Sequence, residues 1–579
     1  MNHREKIQHA LLAEHIIDEQ DSIEQLMFDA KRKHIDIEEY IANKKDLPLE
    51  QVYQTVAKAF GTTYVNLENN SLDSKLIKLL PESIVQTHQI IIFDYSKKQN
   101  VLLVATRDPD DIQTIDFIQK KTGKELQIFY TDSVSIQHIV KQYHKNLVEE
   151  IQTLTAAPIA VDSHTGLKEL NRIAHNLPVI KTVNVLLHYA LYQGASDIHI
   201  EPTEKEVVVR YRVDGMLSDV MTFPKALQQA IIARIKVLAN LKIDEHRLPQ
   251  DGRFKIQVEE NAIAFRVSIF PVYDGEKVVL RLLDESAKVL TFEQLGMQSK
   301  ASEILRNNIQ KPHGIMLVTG PTGSGKTTTL YSVLNILNTP KVNISTVEDP
   351  IEYRIPRVNQ AQVSPKIGFT FAAGLRALLR QDPNIIMVGE IRDGETAEIA
   401  AHAAMTGHLV LSTLHTNDAI GAIPRLTEMG VPHYLVASTT NVIIAQRLVR
   451  KICEHCMYTI GVTKQMIADI ERQFSFEDIV HTLITYGEMN KETPVEDINF
   501  YAGKGCSHCG QRGYKGRVGI YETLEITDNV RKAILDRASP KELLAIAKSE
   551  GMMTMTEDGF LKAKRGLTSI EEILRVTKE

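Results

Sequence analysis

The stretch that most limits what this chain can fold into is "GIMLVTGPTGSGKTTTLYSVLNIL", which begins at Gly314. An apolar run suited to a buried strand leads into Gly320, Pro321, Thr322, Gly323, Ser324, Gly325, Lys326 and Thr327, and a helix-forming segment follows. This is the spacing GxxxxGK[ST] in a strand–loop–helix context. The glycines let backbone N–H groups turn inward around phosphate oxygens, and the helix N-terminus adds its positive dipole. Lys326 is expected to reach the β- and γ-phosphates of a nucleotide, and Thr327 to ligate Mg²⁺ through its hydroxyl.

Three segments downstream fit the same sheet. "VNISTVEDPIEY" is a strand ending in Glu348, Asp349 and Glu352. "NIIMVGEIRD" is a short buried strand, Ile385 to Val388, followed by Gly389 where an aspartate would commonly steer the metal, and then by Glu390. "HLVLSTLHTND" is a strand flanked by His408 and His415. Strands and helices alternating in this way predict an α/β, RecA-like core with a mostly parallel sheet and ligands at the carboxyl ends of its strands. The polar tips are therefore expected to converge on the phosphate loop. A histidine at a strand end is usually structural, but two of them beside a nucleotide are candidates for sensing the γ-phosphate.

At 579 residues the chain is too long for one core. Residues 1–60 read as a helical N-terminal segment, 61–145 as a small α/β domain, 146–175 as a linker, 176–285 as a second α/β module and 286–579 as the nucleotide-binding domain. In the second module "VVVRYRVDG" is a strand closed by an Asp-Gly turn. Arg210 and Arg212 share one face of it, opposite Val209, Tyr211 and Val213. Two adjacent cations invite an anion, although without other clues a solvated or salt-bridged face is the better explanation. Arg234 follows on a helix, and Arg266 and Arg281 lie on two later strands. A composition of 43% apolar and 24% charged residues is that of a folded soluble protein. The formal charge of −6 supplies no overall basic field for nucleic acid. The charged N-terminus lacks a signal-peptide apolar run, and no stretch is long and apolar enough to span a membrane. The four cysteines, Cys453, Cys456, Cys506 and Cys509, form two CxxC pairs in an element spanning 450–515, which suits metal binding better than disulfides.

Taken together, the phosphate loop, "TVEDPIEY", "IIMVGEIRD" and "TGHLVLSTLHTND" resemble the secretion-superfamily ATPases of type IV pilus assembly and type II secretion. "SDIHIEP", "RYRVDG", "RLPQDGR", "AQRLVRKIC", "GRVGIYE" and the C-terminal "TMTEDGFLKAKRGLTSIEEILRVT" extend the likeness over roughly residues 60 to 579. The resemblance implies a cytoplasmic homohexamer, peripheral at the inner face of the cytoplasmic membrane. Such a hexamer hydrolyses ATP with Mg²⁺ and drives an inner-membrane platform protein that adds pilins to a filament. It also implies that the module before the core supplies arginines to the phosphates, with Arg210 and Arg234 at the matching positions and Arg212, Arg266 and Arg281 as secondary candidates. The CxxC pairs become a structural Zn²⁺ site of four thiolates, with a mixed site using His455 or His508 as the alternative. Assembly and secretion motors commonly carry this element and retraction motors lack it.

Register alone makes Glu390 the base, whereas the resemblance moves that work to Glu348 and leaves Glu390 to hold the Mg²⁺ shell through water. The first 60 residues lack the "RLG"-type signature of relatives that bind cyclic di-GMP, so that ligand is not expected. His246 replaces a usual arginine, and Asn384 stands where many relatives have an aspartate that could serve as an acidic neighbour of the site. A DNA-uptake or DNA-translocating ATPase is the alternative function. The mildly acidic charge, the absence of tryptophan and the absence of a basic run interleaved with aromatics argue against direct contact with nucleic acid. A catalytically dead paralogue is opposed by the intact Lys326, Thr327, Glu348 and Glu390.

Overall fold

Among the described residues three larger sheets, each with its own apolar core, follow one another along the chain, and a two-stranded hairpin is inserted in the last. The computed structural model describes residues 3–14, 16–17, 26, 30, 36–45, 47–68, 70, 72–73, 76, 79–80, 84–85, 88–96, 100–140, 177–258, 261–284, 289–492, 494, 498–506 and 509–577. The stretch read as a linker, 146–175, lies outside the described residues.

At the N-terminal end, helices His3–Ala13, Ile37–Lys45 and Leu49–Ala59 pack through Leu11, Ile41, Val52 and Val56. The first sheet joins β1 (Ile90–Ser96), β2 (Val101–Thr106) and β3 (Glu125–Tyr130). Its helix, Ile112–Thr122, starts on the Asp111 cap and ends at Gly123, which takes the left-handed φ of 63° that a C-terminal glycine allows. Helices and sheet are keyed together by the buried Glu38, which pairs with Arg107 at 3.0 Å and accepts from the Tyr130 hydroxyl at 2.5 Å.

The second sheet is antiparallel. It comprises β4 (Ala195–Pro202), β5 (Glu206–Val213), β6 (Met216–Pro224), β7 (Gln250–Val258), β8 (Asn261–Val272) and β9 (Gly275–Asp284), in the order β6-β5-β4-β9-β8-β7. Val209, Tyr211 and Val213 turn toward the helices Leu177–Tyr192 and Gln228–Leu238, as alternation predicts. The Asp214-Gly215 turn has positive φ at both residues, the requirement of a tight hairpin. The other face carries a cross-strand row, Arg253–Arg266–Arg281–Asp197–Arg212, set by the register of five neighbouring strands.

The third sheet is the core. Its strands are β10 (Gly314–Thr319), β11 (Ile344–Glu348), β12 (Val358–Gln362), β13 (Ile385–Val388), β14 (Leu409–Leu414), β15 (Thr440–Ile452) and, beyond the short hairpin β16 (Met457–Gly461) and β17 (Asn499–Gly503), β18 (Tyr514–Glu525). The order is β12-β11-β13-β14-β10-β15-β18, parallel throughout except for β18 against β15. Every residue of β10, β11, β13 and β14 is buried, because separate apolar clusters cover the two faces of the sheet. Among the described residues no helix is long and apolar enough to cross a membrane.

Candidate functional site

The phosphate loop leaves the carboxyl end of β10 and enters the helix Lys326–Leu337. Gly320, Gly323 and Gly325 have φ of 144°, 80° and 89°, so the loop needs glycine at each. Lys326 Nζ folds back on the loop, donating to the carbonyls of Gly320 at 2.7 Å and Pro321 at 3.1 Å. Burial lowers its pKa, and the Glu390 carboxylate works the other way.

A cavity of about 550 Å³ opens over this loop. That volume is ample for a nucleotide-sized ligand. Thr322, Gly323, Gly325, Lys326 and Thr327 line its floor, and Glu348, Asp349, Glu352, Glu390 and His415 form one wall. Pro321 and Ser324 belong to the same loop without lining the cavity. Glu348 ends β11 and is 2% exposed. Its carboxylate accepts from the Tyr331 and Thr346 hydroxyls, each at 2.5 Å, and from Gln360 Nε2 at 3.1 Å. A carboxylate offers about four acceptor sites, so one remains for a further donor such as water. Glu390 stands just beyond β13, paired with Arg392 and with His415 Nε2 at 3.4 Å. Burial raises the pKa of Glu352, and Arg281 and Arg266 oppose that rise.

The arginines fall differently from the expectation. Arg266 and Arg281 line the cavity opposite the phosphate loop, whereas Arg210 and Arg234 do not. Arg210 shares their sheet face but lies on β5, two strands from β9, roughly 10 Å away at the usual strand spacing. It is held by Glu201 at 3.4 Å and Asp219 at 3.1 Å. Arg212 pairs with Asp197 at 3.5 Å, and Arg281 meets the same carboxylate at 2.9 Å. For Arg210 and Arg212 within one chain, the salt-bridged face is what the fold contains. Arg234 sits on the helix Gln228–Leu238 with its Nε buried and unpartnered.

His408 requires a correction. It precedes β14, and its main-chain carbonyl accepts from Gly314 at the start of β10, while the phosphate loop follows the other end of β10. Six extended residues separate the two ends by roughly 20 Å. The His408 ring bonds the Ala403 carbonyl at 2.9 Å, closing the preceding helix, so only His415 belongs to the site. Asn384 lies at that far end too, accepting from the Asn343 N–H at 2.8 Å, and thus takes no acidic group from the cavity. His246 pairs with Glu276 at 2.8 Å in the second sheet.

Arg392, Tyr331 and Arg517 also line the cavity, and no role was expected of them. Arg392 bridges Glu390 and Asp349 (3.8 Å to the latter), Tyr331 anchors Glu348, and Arg517 reaches in from β18. Arg392 had a local signal, two positions beyond Glu390. The other two depend on helix and strand packing that no short motif records.

The cysteines converge where β15 and β18 leave the core sheet. Their sulfurs all lie within 4.8 Å of one another, with contacts of 3.8 Å for Cys453–Cys506, 3.9 Å for Cys456–Cys509 and 3.8 Å for Cys506–Cys509. A tetrahedron with zinc–sulfur bonds of about 2.3 Å has sulfur–sulfur edges of about 3.8 Å, so the group has the dimensions of a Zn²⁺ site. Burial pushes the Cys453 thiol up to about 12. At Cys509 burial is outweighed by the N–H donors of Cys506 and Gly513, which bring the thiol down to about 7. The four sulfurs suffice as a ligand set without His455, and His508 lies outside the described residues.

Known proteins are similar in sequence to this chain over most of its length. A family model described as "Type II/IV secretion system protein" matches residues 173–575, and one described as "MshEN domain" matches residues 60–149. The chain is 38% identical over 578 residues to the type IV pilus assembly ATPase PilB of Pseudomonas aeruginosa, covering 98% of each protein. It is 39% identical over 525 residues to the PilB of Myxococcus xanthus, covering 90% of this chain and 89% of that one. It is 44% identical over 473 residues to the type II secretion system protein E of Xanthomonas campestris pv. campestris, covering 82% and 80%. Among solved structures, the ATPase DotB of Yersinia pseudotuberculosis shares the fold, with a TM-score of 0.50 and 22% identity over 69% of this chain and 93% of that one.

Proposed function

This chain belongs to the type II/IV secretion system protein family, and from that premise we propose that it is the ATP-hydrolysing motor of type IV pilus assembly. The observation that carries the reading is the cavity in which the phosphate loop, two strand-end glutamates and two arginines from a different sheet face one another. The Pseudomonas pilus-assembly relative is matched along 98% of this chain, whereas the type II secretion proteins E are matched along 82% to 86% of it, and this fuller span supports pilus assembly.

In this reading the loop N–H groups and Lys326 hold the β- and γ-phosphates. Mg²⁺, held by Thr327 and through water by Glu390, would neutralise phosphate charge. Glu348 orients the attacking water and accepts its proton through its remaining acceptor site. His415, against Glu390, follows the γ-phosphate, and Glu352, on whose carboxyl Arg281 and Arg266 act, belongs to the nucleotide-binding set. Arg266 and Arg281 take the phosphate-contacting work that the family resemblance implied for Arg210 and Arg234. The four cysteines hold a structural Zn²⁺ that staples the β16–β17 hairpin to the core. The working form is a homohexamer against an inner-membrane platform protein, at the inner face of the cytoplasmic membrane.

The test is an ATPase assay on the purified chain, with Lys326→Ala as control, joined to deletion and complementation in the source bacterium. Loss of surface pili with secreted proteins unchanged supports the proposal. Loss of secretion with pili intact would transfer the chain to type II secretion, and equal ATP turnover by Lys326→Ala would remove the phosphate-loop reading.

A further inference from the structure

Gln446 lies in "AQRLVRKIC", a motif the site described above leaves without a task. It sits on β15 beside the end of β10, where Ala445 is in register with Thr319, so its neighbour across the ladder is the start of the phosphate loop. It is 1% exposed, and both ends of its side-chain amide are used. Nε2 donates to the Ser324 carbonyl at 2.6 Å, and Oε1 accepts from the Thr329 hydroxyl at 2.7 Å. Its main-chain carbonyl lies 2.4 Å from where a Cβ on Gly320 would be, and Nε2 lies 3.1 Å from a Cβ on Gly325. Two of the three glycines of the loop are therefore set against this one residue.

We propose that Gln446 is a positioning residue for the phosphate loop, aiming the Gly325 N–H at the nucleotide phosphates by holding the Ser324 carbonyl away from them. The physical step is the planarity of the trans peptide, which makes the carbonyl of one residue and the N–H of the next point in opposite directions. With the Ser324 carbonyl drawn toward β15, the Gly325 N–H faces the cavity that Gly325 lines. If the carbonyl were released, the peptide could rotate and present a carbonyl oxygen to a phosphate, replacing attraction by repulsion. Thr329 donates to Oε1 at the other end of the amide, and since the Ser324 carbonyl can accept only from Nε2, the Ser324 bond does not depend on Thr329. The inference rests on the loop binding phosphate, as proposed above.

The experiment compares Gln446→Glu, Gln446→Leu and Thr329→Val with the parent full-length chain, using ATP turnover, ADP binding by calorimetry and thermal melting without nucleotide. Gln446→Glu keeps the acceptor for Thr329 and removes the donor to Ser324, and Gln446→Leu keeps the bulk and removes both bonds. Each is expected to raise KM for ATP and Kd for ADP about tenfold or more, the scale of one charge-assisted hydrogen bond. The change in kcat should be smaller than that in KM. Thr329→Val leaves the Ser324 bond in place and should raise KM less than about threefold. Gln446→Leu serves if the buried charge of Gln446→Glu prevents folding. Parent-like KM and Kd in a folded Gln446 variant would overturn the proposal. So would equal losses in Thr329→Val and the Gln446 variants tracking their melting temperatures, which is the behaviour of a merely structural residue. Lys326→Ala, run alongside, separates the two claims. Its failure to affect ADP binding would remove the phosphate-loop reading, whereas its effect with parent-like Gln446 variants would remove only the role of Gln446.

Discussion

The two glutamates of the cavity differ in what surrounds them, and that difference makes their roles separable. Glu348 is buried among three neutral donors from Tyr331, Thr346 and Gln360, whereas Glu390 meets the cation of Arg392 and the ring of His415. Glu348→Gln should therefore keep Mg²⁺-dependent ATP binding within about threefold and lower turnover by roughly 10² or more, the span of a lost general base. Glu390→Gln should weaken Mg²⁺-dependent binding itself. Equilibrium binding with a fluorescent ATP analogue, with and without Mg²⁺, reads the two apart, and the opposite pattern would exchange the roles. For the arginines the geometry gives a second contrast. Arg266→Ala or Arg281→Ala removes a cation facing the phosphate loop and should cost at least about 10² in turnover, toward the roughly 10³ to 10⁵ that a well-placed arginine can supply. Arg210→Ala, whose side chain is engaged by Glu201 and Asp219, should lose less than about tenfold. Steady-state kinetics on the three variants decides between the two sets.

At the scale of the element, the core strands were legible because parallel strands buried on both faces must be continuous apolar runs, and the four residues Ile385–Val388 read as a strand from that alone. The tetracysteine group was legible because CxxC spacing survives any fold around it. His408 was misplaced because it precedes its strand, at the amino end, whereas the ligands gather at the carboxyl ends. The parallel register of β10 with β14 puts it far from the phosphate loop. The arginines of the cavity were secondary because, although β7, β8 and β9 follow one another as hairpins, the pairing of β9 with β4 that sets Arg281 and Arg266 in one row with the face of Arg212 is non-local, and no short segment encodes it. Two predictions belong here. Cys506→Ser should reduce bound zinc, about one per chain in the parent by elemental analysis, and lower the melting temperature. A chelator should lower the parent's melting temperature toward that of the variant. Glu522 on β18 joins the loop after β14 to the helix Met555–Lys564, accepting from the N–H groups of Ala419 at 2.9 Å and Met555 at 3.3 Å. Burial, with Asp418 and Glu557 adding to it, lifts its carboxyl to about 7 against the backbone donors, from the ordinary 4.5. A folded-state pKa above the unfolded one means that this group's contribution is fully present below about pH 4.5 and is lost as pH rises through about 7. Thermal melts across pH 4.5 to 8 should show that decline in the parent and a flatter profile in Glu522→Gln.

For the whole molecule, what matters is that the cavity is built from two sheets with separate apolar cores. The phosphate loop, Glu348 and Glu390 come from the parallel sheet, and Arg266 and Arg281 come from β8 and β9 of the antiparallel one. A triphosphate held by the loop presents its charge to those arginines, so binding couples the two bodies in a way that neither core provides alone. In the proposed function, loss of the γ-phosphate on hydrolysis would remove charge facing the arginines and weaken that coupling, a nucleotide-dependent relation between the two sheets. Only a ligand that interacts differently with two states can shift their balance. The coupling should therefore be visible as protection rather than as affinity. In hydrogen exchange followed by mass spectrometry, a non-hydrolysable ATP analogue should slow exchange in peptides covering β8 and β9 as well as in the phosphate loop, with ADP protecting the loop more than the strands. The double variant Arg266→Ala/Arg281→Ala should retain protection of the loop and lose it in β8 and β9. Equal protection of β8 and β9 in that variant would mean that the second sheet responds to nucleotide through some other contact, and would take the arginines out of the coupling.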